Sequence, residues 1–231
     1  MRRGIGIVLV KLTLDPLMMP IDAVAGELAL APDRMNADWL RQRFAQPPLW
    51  FPESVGQQLR GLAGEGTPTA AAVLIPIIMH PEGPTLLFTQ RTAHLTDHAG
   101  QVSFPGGRTE LTDSSPTETA LREAEEEIGL PRGEVEVIGT LPEYFTGTGY
   151  RVTPVAGLIQ PPASLRANPD EVAEIFEVPL AFLMDGLNHQ LRTFDLPDGY
   201  RRTFYAMPYE RFFIWGATAA MLRNLFHFLR A

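Results

Sequence analysis

Cysteine is absent from the 231 residues, so the fold uses no disulfide and no thiolate metal site, and nucleophilic thiol catalysis is excluded. That absence suits the cytoplasm. Long apolar runs are missing as well: no stretch of the sequence approaches the roughly 20 residues needed to span a bilayer, which excludes membrane insertion. Met1-Arg2-Arg3 followed by Gly4 to Val10 has the outline of an export signal, with Ala23-Val24-Ala25 as a cleavage site. Lys11 and Asp15 cut its apolar run to about seven residues, at the bottom of the usual range, so the sequence reads as cytoplasmic. Positive charge is scarce, with 19 Lys and Arg against 27 Asp and Glu and a net charge of -8. Holding nucleic acid by neutralising phosphates over a broad surface needs clustered Lys and Arg, so nucleic acid is not an expected partner. A small phosphorylated ligand remains compatible, because bound divalent metals reverse the sign of the field inside one cleft.

What is present is enough for a core, at 45% hydrophobic residues. Residues 1–34 show no clear period and are expected to be a poorly ordered leader. Residues 35–66 read as a helical extension, with Asp38 capping a short helix Trp39 to Ala45 that stops before Pro47-Pro48, and a second helix from Glu53 to Leu62. Gly61 to Pro68 reads as a linker, and the main domain spans 67–231. Ala70 to Met79 and Pro84 to Thr89 predict paired strands around a turn at His80-Pro81-Glu82-Gly83. Further strands are expected at Val135 to Leu141, Val152 to Gln160 and Ile175 to Pro179. A helical turn follows at Leu180 to Leu183. Leu191 to Leu196 and Thr203 to Met207 read as a hairpin around Pro197-Asp198-Gly199, and Trp215 to Leu229 as an amphipathic helix. The class is α+β, with helices covering a curved sheet.

Ser115-Pro116-Thr117-Glu118 combines an N-cap hydroxyl, proline at the first helical position and a glutamate at the third, so a helix begins at Pro116. Gly129 and Pro131 end it near Ile128. At about 100° per residue, Glu123 and Glu127 stand one turn apart with Glu126 about 60° to one side, so three carboxylates share a face. Like charges so placed weaken an isolated helix, which points to a cation among them. Magnesium or manganese, hard ions that take oxygen ligands and bridge carboxylates to phosphates, would supply it. The alternative is a solvated acidic face. Ala120, Leu121, Ala124 and Ile128 form the opposite, apolar side.

The stretch from Gly106-Gly107-Arg108-Thr109-Glu110 through Arg122-Glu123-Ala124-Glu125-Glu126-Glu127-Ile128-Gly129-Leu130 resembles the Nudix box, G-x5-E-x7-R-E-U-x-E-E-x-G-U. In its first half Asp113 takes the place of glutamate, and eight residues rather than seven separate it from Arg122, leaving Asp113, Glu110 and Glu118 as candidate partners of Arg122. Leu86-Leu87-Phe88-Thr89-Gln90-Arg91-Thr92 and His98-Ala99-Gly100-Gln101-Val102-Ser103-Phe104-Pro105-Gly106-Gly107 are similar to the block LLTxRSxxxRxxxGxxxFPGG that precedes the box in coenzyme A pyrophosphatases of the Nudix superfamily. Phe88 is additional, Thr92 fills the serine slot and Thr96 the second arginine slot. Tyr150-Arg151-Val152-Thr153-Pro154 and Ile214-Trp215-Gly216-Ala217-Thr218-Ala219 also look like that family, and the resemblance covers roughly residues 36 to 231.

The resemblance implies a Nudix α/β/α sandwich with a mixed curved sheet and a loop-helix-loop box. It implies Mg²⁺ or Mn²⁺ held by Glu123, Glu126 and Glu127, with Arg122, Glu126 and Glu127 as catalytic residues. The reaction would be hydrolysis of CoA or acyl-CoA to 3′-phosphoadenosine 5′-phosphate and (acyl-)4′-phosphopantetheine, by a monomer or a homodimer. The substrate would be met by Arg91, Thr92, His98, Gly106 and Gly107. Arg91 either grips a phosphate by its planar fork or pairs with a surface carboxylate. His98 is either a substrate contact or a neutral loop histidine, and not a metal ligand beside so many hard oxygens. The general base stays open between Glu143, Glu171 and Glu174, the last two also reading as an ordinary acidic cap. Phe212, Phe213 and Trp215 read as core. Other substrates, namely ADP-ribose, dinucleotides or nucleoside triphosphates, and a non-catalytic nucleotide-sensing module are the alternative readings.

Overall fold

The structure, a computed structural model, describes residues 15–53, 67–94, 99–161, 163–195 and 201–231. Among these residues the strands form two sheets. The larger is built on β2 (Thr69–His80), which lies parallel to β8 (Tyr150–Ile159) and antiparallel to β3 (Gly83–Arg91), so the sheet is mixed. β3 in turn carries β4 (Val102–Ser103) and β9 (Val172–Pro179), β8 carries β6 (Val135–Thr140) and β7 (Tyr144–Phe145), and β5 (Gly106–Arg108) pairs with the first half of β2. Pro76 lies inside β2 without breaking it. It falls where β2 changes partner, between Val73 opposite Gly106 and Ile77 opposite Leu86, a place where its missing N–H costs no ladder bond on that edge. β2 is apolar almost throughout because both faces are covered.

One face packs on α2 (Pro116–Ile128) through Ala72, Leu74, Val155, Ala120, Ala124 and Ile128. The other face belongs to a larger core shared with α1 (Ala37–Ala45), α3 (Leu180–Leu183), α4 (Gly216–Arg230) and the second sheet. That sheet runs in the order β1 (Ile21–Val24), β10 (Gln190–Asp195), β11 (Arg201–Tyr209), β12 (Phe212–Trp215). β10 and β11 are the expected hairpin, and their Pro197-Asp198-Gly199 turn lies outside the described residues. The α+β class with a mixed sheet holds, and the layer opposite α2 contains strands as well as helices.

Three expectations are corrected. Residues 15–34 are folded: β1 pairs with β10, Leu30 and Met35 are buried, and the Arg192 guanidinium donates to the carbonyls of Pro16, Leu17 and Met19 at 3.4, 3.0 and 2.8 Å. All four side chains of β1 are exposed, so attachment through main-chain bonds left no hydrophobic period to read. The first helix is capped by Asn36, whose Oδ1 accepts from Trp39 N at 2.9 Å, and not by Asp38. Most of the expected helix Glu53 to Leu62 lies outside the described residues. α4 is buried on nearly every side rather than amphipathic, since Phe44 and Trp50 of the extension cover its Phe228.

The extension is tied to α4 by a buried charge cluster. Arg223, 1% exposed, donates to Glu27 (2.8 and 3.1 Å) and Glu53 (2.8 and 3.3 Å) and lies 3.0 Å from His189 Nδ1. Hydrogen bonds from Arg223 hold the Glu27 carboxyl down at about 2, and those of His227 and Arg223 do the same for Glu53 against its burial. Removing one partner of such a cluster strands the other charges. Arg223→Leu should therefore lower the unfolding free energy by about 3 kcal/mol in urea titration; a loss under about 0.5 kcal/mol, the scale of an exposed pair, contradicts this assignment.

Candidate active site

α2 starts and stops as its sequence dictates. Ser115 Oγ accepts from Glu118 N at 3.2 Å, and Gly129 closes the C-terminus in the left-handed region at φ 66°. The Glu118 carboxylate bonds Ser114, at its N and Oγ, rather than Ser115.

The carboxylate side of α2 lies against the β5 backbone. Glu127, 3% exposed, accepts from Gly106 N at 3.1 Å. Glu123 sits on Gly107 so closely that a Cβ there would come within 2.3 Å of its Oε1, and a Cβ on Gly106 would come within 2.4 Å of the Ala72 carbonyl oxygen. Both glycines are thus required by close approach. Glu126 points outward, with its side chain 58% exposed.

Arg122 is the hub beneath these groups. Its Nε and Nη2 donate to the two oxygens of Asp113 at 3.0 Å each, Nη2 also to Arg108 O at 3.0 Å, and Nη1 faces Glu126 and Glu123 at 3.1 Å each. Of the three candidate partners, the structure therefore selects Asp113. Arg122 holds the Asp113 carboxyl well below the usual range, and Thr119 Oγ1 and Glu110 N donate to it at 2.9 Å each. Arg122 is buried, and each of its three nitrogens is engaged.

Burial pushes the Glu127 carboxyl up to about 8, against the opposing pull of Gly106 N–H and Arg91. Burial raises Glu123 too, against the pull of Arg122. Glu171 adds its charge to the upward push on both. Of the other general-base candidates, Glu143 pairs with Arg151 at 3.5 Å and Glu174 pairs with Arg211. Thr92 is buried; its N–H donates to Glu171 O at 3.0 Å and its hydroxyl faces Asp170 O, so it fixes the Glu171 turn. Arg91 Nη1 stands 3.7 Å from Glu127, and its buried Nε has no partner, as for Arg43 and Arg202 among the described residues. His98 lies outside the described residues.

The donor chemistry suits a divalent hard cation: Glu123, Glu126 and Glu127 offer carboxylate oxygens, and buried Glu127 has the Gly106 N–H and Arg91, 3.7 Å away, to offset its charge. Among the described residues, the three ligand atoms lying within 4.8 Å of one another belong instead to Glu27, Glu53 and His227. That group already contains the guanidinium of Arg223. In the box, Arg122 draws Glu123 and Glu126 toward itself.

A glycine-cradled acidic helix of this kind, set on a mixed sheet, defines a hydrolase of phosphoanhydrides. The NUDIX domain family model matches residues 68–195. The Nudix hydrolase NudL of Escherichia coli K12, described as uncharacterized, is 50% identical over 156 residues, covering 67% of this chain and 80% of that protein. NudL of Shigella boydii serotype 18 aligns to the same extent. Among solved structures, the Nudix hydrolase RenU of M. smegmatis is similar at 27% identity and a TM-score of 0.42, over 48% of this chain and 70% of that one. The chain belongs to the Nudix hydrolase family, whose chemistry is hydrolysis of a pyrophosphate linkage in a nucleotide-like substrate and whose members generally use divalent metals. Among the described residues no helix is long and apolar enough to cross a membrane.

Two measurements test the geometry. In EDTA, the folded state prefers protonated Glu127, so the stability it contributes is complete below about 4.5 and is lost as pH rises to about 8. Urea unfolding from pH 5 to 9 should show that decline, and Glu127→Gln should flatten it; an unchanged slope assigns it to another group. Gly107→Ala should displace Glu123, a flexible side chain, and lower kcat at least tenfold while shifting Tm by only a few degrees. Equal activity in that variant contradicts the cradle.

Proposed function

We propose that the protein hydrolyses the pyrophosphate bond of coenzyme A or its thioesters with Mg²⁺ or Mn²⁺, giving 3′-phosphoadenosine 5′-phosphate and (acyl-)4′-phosphopantetheine. The observation that carries the reading is the bidentate Asp113–Arg122 pair. It gives a working register to a box one residue longer than the Nudix pattern, and the coenzyme A pyrophosphatases that this chain resembles also tend to have that longer box with Asp.

Glu123, Glu126 and Glu127 would hold the metal, which when bound neutralises the diphosphate and favours attack of water on phosphorus. Arg91 lies beside Glu127 with a buried donor unspent, and a phosphate oxygen completes it. Glu171, whose charge acts on both Glu123 and Glu127 and whose carbonyl accepts from Thr92 N, would take the proton of the attacking water. The P–O bond of the anhydride then breaks and the leaving phosphate departs. Gly106 and Gly107 would meet the substrate only through their backbone at the rim of the centre, because Ala72, Val73 and Glu123 fill the space a side chain would take. A cytoplasmic location fits a nucleotide substrate.

A product assay on CoA, ADP-ribose, NADH and dGTP, comparing wild type with Glu126→Gln, tests this. Release of 3′-phosphoadenosine 5′-phosphate from CoA, reduced by orders of magnitude in the variant, is expected. Cleavage of another substrate alone removes the CoA assignment, and binding without cleavage of any removes the enzyme.

A further inference from the structure

Arg108 follows Gly107 on β5, and its carbonyl accepts from Arg122, so its backbone belongs to the rim of the carboxylate centre. Its side chain is committed differently from those of its neighbours. Arg122 is neutralised by Asp113, Arg132 by Glu125 at 2.9 Å and Arg151 by Glu143. Arg108 has no carboxylate partner among the described residues. Its Nε and Nη2 both donate to the Tyr150 hydroxyl, at 2.9 and 2.5 Å, and its guanidinium lies 5.3 Å from the centre of the Tyr150 ring. A phenol braces the fork without cancelling its charge, and the remaining donors face solvent.

Successive residues of a strand point to opposite sides, so Gly107 faces Glu123 and Arg108 the other way. The outer edge of β5 bears no further strand among the described residues. The guanidinium reaches over β2 to Tyr150 of β8, on the face of the sheet away from Glu123, while the Arg108 backbone borders the carboxylate centre. In a chain of net charge -8, a pre-positioned, uncancelled cation at that place calls for an anion that is not the diphosphate itself.

We infer that Arg108, braced by Tyr150, binds a second phosphate carried on the ribose of the substrate, and so selects nucleoside diphosphate derivatives bearing a ribose phosphomonoester. This rests on the hydrolase reading above and deepens it. Arg108 is the specificity-determining contact and Tyr150 a positioning residue.

The test compares matched substrates with and without that phosphate: CoA against dephospho-CoA, and NADPH against NADH. Wild type should favour the phosphorylated member in kcat/KM by roughly 10- to 100-fold, the scale of hydrogen bonds to a charged group. Arg108→Gln should bring the ratio close to one, while Tyr150→Phe should raise KM for the phosphorylated member and spare kcat. Equal slowing of both members by Arg108→Gln, or no preference in wild type, overturns the inference. Selection of NADPH without cleavage of CoA removes the CoA assignment and leaves the Arg108 subsite standing. Calorimetric binding of adenosine 3′,5′-bisphosphate against AMP makes the same comparison without turnover, and equal affinities in wild type overturn the inference there too.

Discussion

Glu123 is pressed against the main chain of Gly107 with no room for a side chain between them, and Glu127 accepts a hydrogen bond from Gly106 N beside it. Most of the architecture serves that contact. β5 can run so close to α2 because it is held on β2 at Ala71, Ala72 and Val73, and α2 can approach because Ala120 and Ala124 are small where they meet the same strand. A buried carboxylate at the end of this arrangement is expensive in the ion-free protein, which is why its proton is held so firmly. A cation relieves the cost only where the oxygens already stand.

Two buried arginines organise the molecule, by opposite means. Arg122 binds the box loop to α2 and balances one fixed carboxylate, Asp113, while leaning on two others. Arg223 gathers carboxylates from two distant segments, Glu27 and Glu53, onto the last helix. The first orders a site within one stretch of chain. The second closes the fold over long sequence distances, and its acid and imidazole neighbours mimic a metal cluster without needing a metal.

The parts of the fold that were legible in the sequence are those that carry their own signals. The Ser115 cap, Gly129 and the runs of β2 and β3 were readable because local chemistry and tertiary structure agree there. β1 was not, since its side chains are solvated and its pairing is main-chain only. The burial of α4 depends on a cover supplied from far away in sequence, so its own pattern understated it. In the site, helical spacing put Glu123 and Glu127 on one side of α2 but did not show that Glu126 turns outward, and the choice of Asp113 over Glu110 and Glu118 required the loop's path. Glu171 looked like an ordinary acidic turn; the bond that Thr92 N donates to its carbonyl joins segments far apart in sequence and left no local signal. Arg108 and Tyr150, 42 positions apart, meet only because β5 and β8 flank the same strand.

The family-matched stretch, residues 68–195, includes α2 and the larger sheet but omits α1, β11, β12 and α4. Leu222, Leu225 and Phe226 of α4 are in the same core as Phe88, Phe104 and Phe176 of the matched stretch. The recognisable module is therefore not a detachable one. Grafting it into another protein, or swapping it between relatives, would transplant a catalytic surface while leaving its foundation behind.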